Sequence, residues 1–269
     1  MISPDRLLEE KGLNMRNLAL GIIAAIGLST AAQAADMAVK ARPFVAPVAI
    51  YDWSGIYIGG SVGWEQDRFN WAFAPPIPGA LHQNYSFENS GGNAGIHGGI
   101  QKQFGQFVLG AEIGYMGSWN RTATELMFGN NPALNSQSRI RDGVFEAGVR
   151  GGFAVNNWLF YGTGGYAGAT IDSQATQVGT GLPFFAASNW HDGGYAGVGV
   201  EYAFASNWIV GAEYQHVWLD TKRHCGSLGV CLGAAGAFVD RDVRADLDVF
   251  RVRLSYKFNP WAGAVVAKY

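Results

Sequence analysis

Between Trp53 and Phe258 one pattern recurs: segments of about ten to fifteen residues in which apolar side chains alternate with polar ones or glycine. They fall at about 53–64, 93–103, 107–118, 140–154, 158–169, 192–205, 208–219 and 246–258. Alternation with period two, bounded by Gly, Asn, Asp and Pro, predicts strands, because successive side chains of a strand point to opposite faces. The connections span about 28, 3, 21, 3, 22, 2 and 26 residues, so long and short alternate without exception. The short ones, Phe104-Gly105-Gln106, Val155-Asn156-Asn157 and Ser206-Asn207, hold the residues that tight turns require. An up-and-down barrel with every long loop at one end produces this rhythm. The expected fold is therefore all-β: a closed, eight-stranded antiparallel up-and-down barrel.

Which face is wet decides what the barrel is for. In the last segment Phe250, Val252, Leu254, Tyr256 and Phe258 share one face, and Arg251, Arg253, Ser255 and Lys257 the other. Phe145, Ala147, Val149 and Phe153 oppose Glu146 and Arg150 in the same way, whereas Phe160-Tyr161 puts a ring on each face. A soluble calyx would bury the apolar parity. Three observations favour the reverse. The polar parity is sparse, in a chain with 38 glycines and only 15% charged residues against about 25% in an average protein. It is also small, which suits a lumen that side chains must fill. Finally, aromatics gather at the short-turn ends (Phe104, Phe107, Phe153, Trp158, Phe204, Trp208, Tyr256 and Phe258), as an interfacial girdle would. Strands of this length, tilted, cross a bilayer, and membrane-spanning barrels combine short turns with long external loops. The expectation is a transmembrane β-barrel.

On that parity the lumen receives Glu112, Glu146, Glu201 and Glu213 against Arg150, Arg251, Arg253 and Lys257, with His97, Gln101 and Gln215 beside them. A narrow low-dielectric interior tolerates charges only in pairs. The balance suggests a charged plug, with Glu213 beside Arg251 and Arg253; a gated ion path through the same charges is the alternative. Four carboxylates also invite an acid/base reading, but nothing offers a substrate access to them. His82, His97, His191, His216 and His224 lack metal-ligand spacing. No phosphate-cradling loop or nucleophile elbow appears, so no catalytic residue, cofactor or metal is expected. A net charge of −2 advertises no nucleic-acid partner. Cys225 and Cys231, with five residues between them, read as a local disulfide or, less naturally, as metal ligands. The long connections mix polar residues with apolar stretches such as Trp71-Ala72-Phe73 and Leu182-Pro183-Phe184-Phe185; they suit contact with an external ligand or host surface, or packing over the barrel mouth.

The first residues carry an export signal. Leu18–Leu28 is an apolar run too short to span a bilayer, preceded by Arg16 and followed by Ala32-Gln33-Ala34. That order reads as a signal peptide over 1–34, with translation starting at Met1 or Met15. Residues 35–52 read as an extended periplasmic linker, 53–258 as the barrel and 259–269 as a C-terminal extension.

Tyr51-Asp52-Trp53-Ser54-Gly55-Ile56-Tyr57-Ile58-Gly59-Gly60, after an Ala/Pro/Val-rich linker, resembles the first strand of the alphaproteobacterial small outer-membrane β-barrel family, the outer-membrane immunogenic or porin-like surface proteins. Tyr161–Ala167 is similar to its fifth strand, Asn207-Trp208 with Glu213-Tyr214 to its seventh, and Val252–Phe258 to its last. The resemblance implies an abundant surface antigen of the Gram-negative outer membrane, inserted by the barrel assembly machinery among outer-membrane lipid and lipopolysaccharide. It implies roles in envelope integrity and no catalytic residues. Many members end at the last-strand aromatic that assembly recognises; here the chain continues to Tyr269, leaving Phe258 and Tyr269 as two candidates. The function expected is structural, with a small-solute porin and a lipid-modifying barrel enzyme as rivals. A membrane fraction should contain the protein, and its gel mobility should change on boiling; a soluble protein of constant mobility would return the calyx.

Overall fold

The computed structural model describes residues 51–73, 84–119, 122–126, 134–226 and 240–260. The signal segment, most of the linker and residues 261–269 lie outside them. Nine strands form: β1 (Gly55–Phe73), β2 (Asn84–Phe104), β3 (Phe107–Ser118), β4 (Ala123–Leu126), β5 (Leu134–Val155), β6 (Trp158–Gln177), β7 (Pro183–Ala203), β8 (Trp208–His224) and β9 (Arg241–Phe258). Eight of them pair antiparallel in a ring, β3-β2-β1-β9-β8-β7-β6-β5, which the β3–β5 pairing closes. The short β4 lines the edge of β5 beyond the point where β3 leaves it. Two short turns use left-handed backbone, Gly105 at φ +64° and Asn156 at φ +53°, conformations open to Gly and tolerated by Asn.

The registers give the barrel its geometry. Stepping from partner to partner, Gly55 leads through Gln101, Gly110, Arg150, Thr163, Gly197, Gln215 and Val249 back to β1 at Glu65, ten residues above the start. Eight strands with that stagger, at a rise of ~3.3 Å and a spacing of ~4.8 Å, tilt about 40° from the axis.

The strands outrun the segments read from sequence. Residues 65–73 and 84–92 belong by composition to the first long connection, yet they pair residue for residue as β1 and β2. Along each long strand the two faces exchange character. On β9 the outward side chains are Phe250, Val252, Leu254, Tyr256 and Phe258 in one half but Asp242, Arg244, Asp246 and Asp248 in the other. The inward ones run the opposite way: Arg251, Arg253, Ser255 and Lys257, then Val243, Ala245, Leu247 and Val249, all buried. One barrel therefore meets two solvents. Where lipid lies outside, apolar groups face out; where water lies outside, they face in, as the hydrophobic effect demands.

The change occurs at a second ring of exposed aromatics that includes Trp64, Tyr115, Phe145, Tyr166, Trp218 and Phe250. Phe250 and Phe258 lie eight residues apart on β9, about 20 Å along the axis after tilt, to which the rings add; this approaches the ~25 Å apolar band of such barrels. Above the ring the interior is an apolar core in which Phe69, Trp71, Phe87, Ile171, Phe185 and Leu247 are buried. Trp71 and Phe185, which residue order left open to external contact or to packing over the barrel mouth, take the second course: strand pairing continues past both and turns their rings inward, where burying each is worth roughly 1.5–3 kcal/mol.

The short-turn end is stopped from below. β1 begins at Gly55, not Trp53, and Trp53 turns into the mouth against Val108, Leu159, Tyr161 and Ile209. Its backbone N–H donates to Gln103 Oε1 (2.8 Å), and its backbone carbonyl accepts from Gln101 Nε2 (2.8 Å).

Single cysteines along β9, in a protein whose native pair is left intact, should read both solvents. At 252 the label should be quenched from the acyl region and at 248 it should react with aqueous reagents, while at 253 and 247 it should do neither. Aqueous reaction at 252 would overturn the orientation of the wall.

Candidate functional site: the charged lumen

At membrane depth, every second residue of each strand points into the barrel. Inward positions there hold Glu112 on β3, Glu146 and Arg150 on β5, Glu201 on β7, Glu213 on β8, and Arg251, Arg253 and Lys257 on β9, all buried. Seven of the eight join a single alternating series, Glu201–Arg150–Glu112–Arg253–Glu213–Arg251–Glu146. Arg150 Nη2 lies 2.8 Å from Glu201 and its Nη1 3.3 Å from Glu112. Arg253 bridges Glu112 (2.5 Å) and Glu213 (2.7 Å). Arg251 bridges Glu213 (2.6 Å) and Glu146 (3.1 Å). Gln215 receives Arg251 Nη2 at 2.7 Å and donates to Glu146.

Lys257 stands apart from this series. Its ammonium donates to the Asp52 carbonyl at the short-turn mouth and lies 4.0 Å above the Tyr51 ring. The series thus holds four acids against three bases rather than four against four.

Two tyrosines complete it. Tyr57 donates to Glu112 Oε2 (2.6 Å) and accepts from Arg150 Nη1 (3.0 Å); Tyr161 donates to Glu213 Oε2 (2.6 Å). The Arg150 guanidinium also stacks 3.9 Å from the Tyr161 ring centroid. Reading by charge missed both residues. Their inward parity was the available signal, and in the Phe160-Tyr161 doublet it is Tyr161 that turns inward. A glycine opposite makes the room: a Cβ at Gly199 would lie 2.5 Å from the Tyr161 hydroxyl. His97 Nε2 pairs with Ser255 Oγ (2.8 Å), and Gln101 serves the Trp53 stopper.

Each of the four carboxylates accepts from at least one guanidinium. Acid/base work needs two groups in contrasting environments; here all four carboxylates are engaged by the same kind of neighbour, an arginine. Among the described residues no group of three or more His, Cys, Asp or Glu is placed to hold a metal ion. Above the membrane His191 and His224, unremarkable in sequence, meet Nε2 to Nε2 at 2.9 Å. Burial holds His224 down to about 3 and lowers His191 as well, so both imidazoles are neutral at neutral pH and one donates to the other.

The predicted girdle residues Phe104, Phe107, Phe153, Trp158, Phe204, Trp208 and Phe258 are exposed, and Tyr256 is half-buried between Trp208 (5.1 Å) and Phe258 (4.9 Å). Cys225 is disulfide-bonded, and Cys231 lies outside the described residues.

Removing one member of a buried ionic network leaves its partners uncompensated, at about 3–5 kcal/mol. Arg253→Met should therefore lower the temperature at which the folded band is lost on a gel, and it should lower the midpoint of unfolding in urea. Lys257→Met, outside the series, should do so far less. Equal effects would mean that the series is not a coupled unit.

The profile of the family described as "Outer membrane protein beta-barrel domain" matches residues 20–258. The 31 kDa outer-membrane immunogenic protein of Brucella melitensis is 28% identical over 260 residues, which cover 91% of this chain and 100% of that protein; the Brucella suis protein of the same name matches equally. Solved structures with similarity include the outer membrane protein OprG from Pseudomonas aeruginosa (12% identity, 78% of this chain and 98% of that one, TM-score 0.43). The outer membrane protease OmpT from Escherichia coli is a second (12% identity, 76% and 97%, TM-score 0.39). A closed antiparallel ring with a lipid-facing apolar band, matched over most of its length by one profile, belongs in a Gram-negative outer membrane: the chain is a member of the outer membrane protein beta-barrel domain family.

Proposed function

We propose that the protein is a structural barrel of the outer membrane, sealed by a plug of alternating charges, that supports envelope integrity and offers its long connections to the outside. The observation that carries this reading is the seven-member ionic series, which spans the lumen from Glu201 to Glu146 with each anion next to a cation. Eight strands leave an interior only wide enough for side chains to fill it. A solute would have to break several buried ion pairs at once, and Trp53 closes the same path below. In this orientation the short turns and both termini face the periplasm, and the strand extensions beyond the upper aromatic ring face out. Insertion by the barrel assembly machinery fits the aromatic end of β9 at Phe258. We assign no enzymatic role, because the four inward carboxylates are all engaged by arginines. We pair Cys225 with Cys231, as a clasp on the last external connection.

Planar-bilayer recording of the purified protein tests the reading. The expected result is no steady conductance from the wild type, with openings appearing in a variant that removes two series members from one wall, Arg251→Ala/Arg253→Ala. Discrete, stable conductance from the wild type would replace the plug with a pore.

A further inference from the structure

From the short turn up to Gly193 and Leu219, β7 and β8 pair residue for residue; above that point they part. Both strands go on. β7 stays on β6 as far as Pro183, and β8 stays on β9 as far as His224. The external half of the wall therefore holds a seam, between residues 185–192 of β7 and 220–224 of β8, with no backbone register across it among the described residues. Four side-chain contacts span it. Lys222 Nζ reaches Asp192 (3.1 Å), and Asn189 Nδ2 donates to the Arg223 carbonyl (2.9 Å), both near the surface. His191 makes the other two, to the Asp220 carbonyl (2.8 Å) and to His224 (2.9 Å). Both imidazoles are fully buried, on the same inner side as Phe185, Leu219 and Val243 of the external apolar core.

The bonding fixes where each proton sits. A carbonyl only accepts, so His191 Nδ1 carries a hydrogen toward Asp220 and its Nε2 is bare. His224 Nε2–H fills that lone pair. A bulge makes the first bond: the β8–β9 register shifts between Leu219 and Lys222, and Asp220 within it offers its carbonyl to β7. The pair ties the seam only while both rings are neutral. A proton on His191 Nε2 sets two N–H donors face to face, and one on His224 Nδ1 puts a cation into an apolar core. The charged groups around the pair are Asp192 on β7, Asp220, Lys222 and Arg223 on β8, and Asp172 on β6. Asp240, Arg241 and Asp242 stand on the β9 side, with Arg241 opposite His224 in the register. Burial outweighs the acids among them: it lowers His191 and takes His224 down to about 3, against 6.5 for an open imidazole.

We propose that the His191–His224 pair is an acid-sensitive latch: protonation breaks it, opens the β7–β8 seam and uncovers the apolar core of the external half. The direction is set by the depressed proton affinity of the closed pair. Above pH 6.5 both rings are neutral whether the seam is open or closed, so the latch holds. As pH falls from 6.5 toward 3, the open state takes up protons that the closed state refuses. Each pH unit then favours opening by up to about tenfold per imidazole. The other two contacts do not change with it. Lys222 and Asp192 keep their charges between pH 7 and 5, and Asn189 does not titrate. The buried tie is therefore the one that acid removes. The latch rests on the seam and not on the charged series, so a conducting lumen would leave it standing.

Thiol accessibility in the full folded protein, with its native disulfide intact, tests the latch. Ala245→Cys lies behind the seam, opposite Leu219, and Ser255→Cys faces the lumen at membrane depth. Dithiodipyridine, which reacts with thiols in acid, is the probe, and each rate is taken relative to the exposed Asp248→Cys at the same pH. The rate at 245 should rise at least tenfold from pH 7.5 to pH 5, while that at 255 changes less than twofold. Adding His191→Gln/His224→Gln, whose amides bond without titrating, should abolish the rise; adding His216→Gln, on the outer face beside Asp248, should not. No rise at 245, an equal rise at 255, or a rise that survives the double glutamine variant would each overturn the latch. Should that variant fail to fold, His224→Gln alone keeps a donor toward His191 and removes one titrating ring. It should cut the rise about threefold, and an undiminished rise would overturn the proposal equally.

Discussion

The pairing of β3 with β5 is the contact on which the rest depends. Without it the sheet has two open edges in lipid, where each unsatisfied backbone group costs several kcal/mol. With it the ring closes at a stagger of ten, which sets the backbone about 8 Å from the axis. That radius brings side chains from distant walls within reach of one another. Glu112 on β3 meets Arg253 on β9, and Arg150 on β5 meets Glu201 on β7. The ionic series is therefore a consequence of closure, and it could not form in an open sheet.

A closed ring that projects beyond the bilayer must solve two solvation problems with one strand. The pleat keeps the parity of each strand constant, so the exchange must be written into residue types. On β1 the outward series Ile56, Ile58, Val62 and Trp64 gives way to Gln66 and Arg68, while the inward series passes from Tyr57 through Glu65 and Asp67 to Phe69 and Trp71. Trp71 meets the rings of Phe87 and Phe185 edge-on, at 5.5 and 5.8 Å, above the membrane, as in a soluble barrel. The same chain is a polar-cored barrel in lipid and an apolar-cored barrel in water.

A buried ionic series is not by itself a stabilising choice, since its desolvation offsets much of its attraction. What it supplies here is exclusion and register. Each acid has partners on two or three particular strands, and a slip of one residue would turn every member into lipid. Outside the wall, Asp172 engages Arg139 and Arg141 together in the same manner.

Much of this architecture was legible from residue order. Period two, the strict long-short rhythm and the sparse polar parity were enough for the strand number, the closure and the face that carries Glu112, Glu146, Glu201 and Glu213, because each is a local consequence of the pleat. What residue order left open was everything that depends on which walls meet. Alternation shows that Arg253 and Glu112 point inward, but only the stagger brings them together and leaves Lys257 at the mouth with Asp52 and Tyr51. Tyr57 and Tyr161 escaped a search by charge, because a phenol becomes a network member only when a carboxylate stands opposite. Residues 65–73 and 84–92 looked like loop because a strand whose outside changes solvent loses the apolar signature by which strands are recognised. The sequence by itself determined the alternation of faces along the strands it revealed, which is local geometry; the tertiary structure decided strand length, partners and solvent, which are set across the ring.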